Sequence, residues 1–167
     1  RFQAQWARAQ SFARVLVAGK LPCKVVDSVA SELALAQGFL LTWLVALEAQ
    51  GWSWRALRRD RGALVGLTRA IREALRVKIH QAGITGCVRF MVVVIRVPVL
   101  YMALLLAPLV IMAFDIEAYI AYHFQKVGDQ TKLLVDEIIS HGIEAQLPVG
   151  ALRELCARNH RWRAADL

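Results

Sequence analysis

A chain of 167 residues has room for one domain with a real core plus a remnant of another, and excludes two full-sized domains. Hydrophobic residues make up 57% of it and the mean hydropathy is +0.43, so either a large helical core or contact with a bilayer is required. The net charge of +8 suits anionic partners, while Cys23, Cys87 and Cys156, with no CxxC pair, argue against a disulfide framework and fit a reducing cytoplasm.

Arg1 to Val17 lacks the apolar centre and cleavage site of a signal peptide, so the chain reads as starting within a longer protein. Gln3 to Val17 is rich in Ala, Arg and Gln and predicts a short helix, with Gly19 placed as its C-cap. Cys23-Lys24-Val25-Val26-Asp27, β-branched and set between breakers, predicts one strand. Ser28 and Ser31 offer N-cap hydroxyls to a helix over Leu33 to Leu47, uncharged throughout and therefore expected to be buried on nearly all sides. Gly51 ends it. Ser53 then caps a polar connection in which Arg55, Arg58, Arg59 and Arg61 read as a solvated face.

From Ala63 to Ala82 the recurrence of Leu64, Leu67, Ile71 and Leu75 predicts an amphipathic helix. Arg69, Arg72, Glu73 and Arg76 take its other side, with Glu73 in reach of Arg69. Val97 to Phe114 gives eighteen uncharged residues, the length of a bilayer span. Arg96, Pro98 and Pro108 fit two short buried helices instead. Asp115 caps a long, bent helix that runs to about Gln146 along Ile116, Ile120, Val127, Leu134 and Ile138, interrupted at Gly128 and Gly142. Pro148 opens a last helix through Leu152, Leu155 and Cys156, and the tail NHRWRAADL reads as frayed.

No GxGxxG, P-loop, HExxH or GxSxG occurs, so the usual phosphate-cradling, zinc and serine-hydrolase motifs are absent from the sequence. His80, His123, His141 and His160 show no metal-ligand spacing. The five tryptophans are scattered and read as packing residues. The richest polar stretch runs from Tyr122 to Lys132. There His123, Lys126 and Gln130, at i, i+3 and i+7, share one helix face on which a carboxylate could bind, and Gly128 permits close approach of another group.

The order of features is a helix, a strand ending Val25-Val26-Asp27, a buried helix, ALVGLTRAIREALRVKIHQAGI, an apolar segment, AYHFQKVGDQTKLLVDEIISHG and a final LPVGAL. Over about Leu16 to Arg158 this resembles the C-terminal part of ketopantoate reductase-like proteins. The residues that carry the resemblance are Val25-Val26-Asp27, the Ala70-Ile71-Arg72-Glu73 helix ending at Ala82-Gly83-Ile84, and Tyr122 to Gly142 with Leu147-Pro148.

The resemblance implies an all-α helical domain of the 6-phosphogluconate dehydrogenase C-terminal-like type behind a helix-strand remnant of a Rossmann domain. Residues 1–27 would be the remnant, 28–158 the helical substrate and dimerisation domain, and 159–167 a tail. It implies a cytoplasmic, NADPH-dependent reductase of a small 2-oxo acid, with NADP bound by an N-terminal Rossmann domain outside these residues and a homodimer as the assembly. By register Ala34 stands where the family carries its catalytic lysine, and Gln130, beside Asp129, where it carries a substrate-contacting acid. His123, Lys126, Asp129 and Gln130 are thus the substrate-binding candidates, and no catalytic, cofactor or metal residue is assigned.

Two other readings stay open: a small membrane protein spanning near 97–114, and a basic helical interaction module using Arg55 to Arg61 and Arg69 to Arg76. Neither nucleic acid nor membrane is expected as a partner under the first reading.

Overall fold

A computed structural model describes residues 2–23, 25, 26, 29–83, 101, 104 and 116–163. Its contacts fall into two units, Arg1–Glu32 and Leu33–Leu167. The described residues form eight helices and no strand: α1 (Phe2–Ala18), α2 (Val29–Ala49), α3 (Trp54–Arg59), α4 (Arg61–Gln81), α5 (Ile116–Lys126), α6 (Gly128–Glu144), α7 (Gly150–Arg158) and α8 (His160–Arg163). The fold class is all-α.

In the first unit α1 follows from its helix-favouring composition, but its stop differs from the expected one. Leu21 N–H donates to the Leu16 carbonyl and Lys20 N–H to that of Val17, both at 2.9 Å. The left-handed residue that permits this closure is Lys20, φ 62°, and not Gly19. Cys23, Val25 and Val26 form no strand; Lys24 and Asp27 lie outside the described residues. A strand needs a partner to take up its backbone N–H and C=O groups, and none exists among the described residues.

The second unit is organised by α4. Asp60 starts it, its Oδ1 accepting from Ala63 N–H at 2.9 Å. Leu64, Leu67, Ala70, Ile71, Ala74 and Val77 then fall on a fully buried face, as the 3.6-residue period dictates. This face packs most extensively on α7, and also on α6 and α3. Leu152 and Leu155 of α7 and Val135 and Ile138 of α6 complete the core. On α2, Gly38 lies so close that a Cβ there would meet Leu75 Cδ2 at 3.2 Å. The uncharged run of α2 is buried all round only over Leu44–Leu47, whereas Leu33, Phe39 and Leu40 are exposed nearer its start. Ser31 falls inside α2 rather than at its cap; Ser28 is outside the described residues.

Gly51, φ 62°, closes α2 through Trp52 N–H on the Leu47 carbonyl at 2.7 Å. The connection that follows is a helix, α3, with Ser53 as its N-cap. Glu117 of α5 reaches this start, its Oε1 accepting from Trp54 N–H at 2.8 Å. The long helix expected after Asp115 is two helices, α5 and α6, broken at Val127 (φ −109°, ψ 19°). Gly142 does not interrupt α6. It is where Val149 and Val77 press onto the helix, leaving no room for a Cβ. Pro148 precedes the N-cap, Val149, so α7 opens at Gly150.

Of the segment read as a frayed tail, residues 159–163 are described, and two of them belong to the core: Asn159 is 0% and Trp162 5% exposed. Of 97–114 only Tyr101 and Leu104 are described. Leu104 is buried and Tyr101 packs beside it on the core. No helix among the described residues is long and apolar enough to cross a membrane.

Candidate anion-binding groove

Arg61, Arg69, Arg72 and Arg76 are separated by steps of eight, three and four residues, which the helical period brings onto one face of α4. They line a cleft of about 770 Å³ between α4 and α7, together with Gly62, Gly66, Pro148, Ala151 and Arg158. Gly66, which also lines the cleft, has open space where a Cβ would stand.

Two carboxylates share the wall, and both are engaged. Glu154 accepts from Arg158 Nη2 at 2.6 Å. Glu73 was expected to pair with Arg69, yet its Oε2 accepts from Leu152 N–H at 2.9 Å. This puts a carboxylate at the positive end of α7, where the N-cap Val149 has no side-chain oxygen to offer. Arg61, Arg69, Arg72 and Arg76 are left without an ion-pair partner among the described residues, and Arg72 Nε is buried with no hydrogen bond. Buried donors are rarely left unmade, and like charges lining one cleft favour the entry of an anion. Guanidinium forks match carboxylate and phosphate oxygens two at a time, and the cleft has the volume of a small-ligand site.

The residues singled out from the sequence lie elsewhere, about the α5–α6 junction. His123 is exposed, stacked on Tyr119 with centroids 5.9 Å apart. Lys126 Nζ donates to Tyr122 Oη at 2.6 Å and sits 3.9 Å from the centre of that ring. Because the helix breaks at Val127, Asp129 and Gln130 belong to α6 and do not continue the face of His123 and Lys126. Both are exposed, and Asp129 accepts from Arg161 Nη1 at 3.2 Å.

Gly128 does permit close approach, and the group that approaches is the Arg161 guanidinium of the same chain, which occupies the place of a Cβ. Arg161 Nε also pairs with Glu48, whose side chain is 5% exposed. Asn159 Nδ2 holds the other oxygen of Glu48 at 2.9 Å and the Val45 carbonyl at 3.3 Å. These bonds satisfy a carboxylate that burial would otherwise penalise.

Trp162 Nε1 donates to Asp136 Oδ1 at 2.8 Å, and Lys132 to Asp136 Oδ2 at 2.7 Å. Cys156 is buried beside them, and its thiol is pushed up to about 12 by burial first and by Asp136 second, against the opposing pull of Lys132. Among the described residues no three His, Cys, Asp or Glu side chains gather closely enough to enclose a metal ion.

In the sequence the arginines of the groove are open to a basic interaction module, but not to a small-anion groove, because charge runs usually face water. The overlooked signal is four arginines sharing a face with Gly62 and Gly66 and with only one acid. No family model, curated protein or solved structure matches the chain.

Proposed function

We propose that this chain is the helical, substrate-side domain of a ketopantoate reductase-like, NADPH-dependent oxidoreductase, and that the arginine groove takes the carboxylate of a small 2-oxo acid. The observation that carries the anion half is the set of four arginines over one cleft without a carboxylate partner among the described residues. A cleft walled in part by Glu73 and Glu154 suits a small anion better than the backbone of a nucleic acid duplex.

The reductase half rests on the resemblance and on the helical fold of two of the segments that carry it, Ala70 to Gln81 and Tyr122 to Gly142. The finer type, 6-phosphogluconate dehydrogenase C-terminal-like, belongs to this proposal. NADP would be held by a Rossmann domain, of which residues 1–27 supply the last helix. Phe12, Val15 and Val17 on α1 are 64%, 68% and 56% exposed, the kind of apolar surface that the rest of such a domain covers. Ala34, at the register of the family's lysine, is a buried methyl and has no proton to give. The proton for the forming alkoxide would come from another group.

The test has two arms. Calorimetric titration of the chain with ketopantoate and other 2-oxo acids should show saturable binding that weakens at least tenfold in Arg72→Ala and Arg76→Ala. The protein joined to its Rossmann domain should oxidise NADPH in the presence of one of those acids. Absence of 2-oxo acid binding sinks the groove assignment, and absence of NADPH oxidation across the panel sinks the reductase assignment.

A further inference from the structure

The arginines of the groove are unevenly spaced along it. Arg69, Arg72 and Arg76 stand on successive turns of α4, whereas Arg61 lies about two turns before Arg69. At about 1.5 Å of rise per residue, roughly 12 Å separates Arg61 from Arg69 along the axis, and roughly 22 Å separates it from Arg76. One carboxylate, with its single pair of oxygens, does not bridge such a span. Between the two poles the cleft wall on α4 is Gly62, Val65 and Gly66, which carry no charge.

The direction of α7 gives each pole its surroundings. Val149 meets Gly142 beside Val77, and Leu152 N–H donates to Glu73 at 2.9 Å, so α7 runs back along α4 toward its start. The three-arginine pole therefore lies beside the first turn of α7, where Glu73 is already held by Leu152 N–H. Toward the other pole, Glu154 is paired with Arg158 at 2.6 Å. Arg61 sits in the first turn of α4, a turn without an acidic residue, where its charge adds to the positive helix end and an anion opposite it is favoured. Asp60, the cap, directs its Oδ1 to Ala63 N–H. The cleft volume of about 770 Å³ lies in the upper part of the range of roughly 300–1,000 Å³ that drug-sized ligands fill, more than a small monocarboxylic oxo acid occupies.

We propose, resting on the groove assignment above, that the oxo acid is a dicarboxylic one. Its 2-oxo carboxylate pairs with Arg69, Arg72 and Arg76, and a second carboxylate at the far end of its chain pairs with Arg61. The methylene chain between them lies over Gly62, Val65 and Gly66, where no charged group has to give up its water. Arg61 is then a specificity-determining residue, because it separates dicarboxylic from monocarboxylic acids of one chain length. A monoacid sets a methyl group where the second carboxylate would stand and forfeits a charge-assisted hydrogen bond.

Calorimetric titration of the full chain with 2-oxoadipate and 2-oxosuberate, each against the 2-oxo monocarboxylic acid of the same length, tests this. The better-fitting diacid should bind more tightly than its monoacid by about tenfold or more, the worth of one charge-assisted hydrogen bond. Arg61→Ala should remove this margin and leave the monoacid nearly unaffected, while Arg72→Ala should weaken both acids of the pair. Far-UV circular dichroism of each variant separates loss of the site from loss of the fold. Equal affinity within both pairs, a margin that survives in Arg61→Ala, or an equal loss of diacid and monoacid in folded Arg61→Ala overturns the dicarboxylate proposal and leaves the groove assignment standing. Failure of every acid to bind the parent overturns the two together.

Discussion

Cys156 shows how far one side chain's chemistry is set by its surroundings. The thiol is raised from 9.0 to about 12 chiefly by burial, so folding favours its protonated form. That contribution is complete below about pH 9, where the unfolded thiol is also protonated, and is lost as the pH rises toward 12. Alkaline unfolding should therefore be less steep in Cys156→Ala than in the parent between these limits. Cys23 is exposed, and peptide mapping after thiol labelling at pH 8 should find Cys23 modified quickly and Cys156 only under unfolding conditions.

Glycines offer a second test at this scale. Gly142→Ala forces a methyl against the branched side chains of Val149 and Val77 and should cost about 1–3 kcal/mol in denaturant unfolding. At Gly128 the obstacle is the flexible end of Arg161, which can swing aside, so Gly128→Ala should be the milder change of the two. The buried place of Cys156 was legible from its spacing to Leu152 and Leu155. The role of Gly128 was legible only as permission for a close approach, since the arginine that uses it stands far along the chain.

Helix ends show the same division. Three helices close with a hydrogen bond across a left-handed residue, α1 at Lys20, α2 at Gly51 and α6 at Gln146, and α4 runs out at the left-handed Gly83. Gly51 and Gly83 were readable because glycine adopts positive φ without penalty, whereas Lys20 and Gln146 carry no such signal. Gln146, φ 54°, is strained for a side chain of its type, and Gln146→Gly should stabilise the fold by roughly 0.5–1 kcal/mol, read as a rise in the denaturant midpoint. α4 was legible almost residue by residue, because one face is buried and its period is clean. The α5–α6 break was not, because Val127 fits the apolar stripe of a continuous helix and the turn there answers to the packing of Arg161 on Gly128.

Over the whole molecule, the charge of +8 announced an anionic partner without giving its place. The place depends on which face of α4 meets α7, and that is decided by long-range packing. Four arginines line one groove, so an anion that binds there should stabilise the fold. Phosphate or sulfate should stabilise the fold more than chloride at equal ionic strength, by about 1.4 kcal/mol at ten times the dissociation constant, read as a higher melting temperature. Arg72→Ala combined with Arg76→Ala should abolish the difference between the salts. An equal response in parent and variant would place the ions elsewhere on the surface.

The buried knot of Glu48, Asn159 and Arg161 joins positions 113 residues apart, and it fixes the order of events as the protein is made. Until Asn159 and Arg161 have left the ribosome, the Glu48 carboxylate lacks both of the side chains that accompany its burial. The helices made first, α2 to α4, must wait as a loosely closed, hydrophobic assembly for the final turn of the unit. The vulnerable moment for aggregation or chaperone capture therefore lasts until residues 159–162 have been made and dock on α2 and α6.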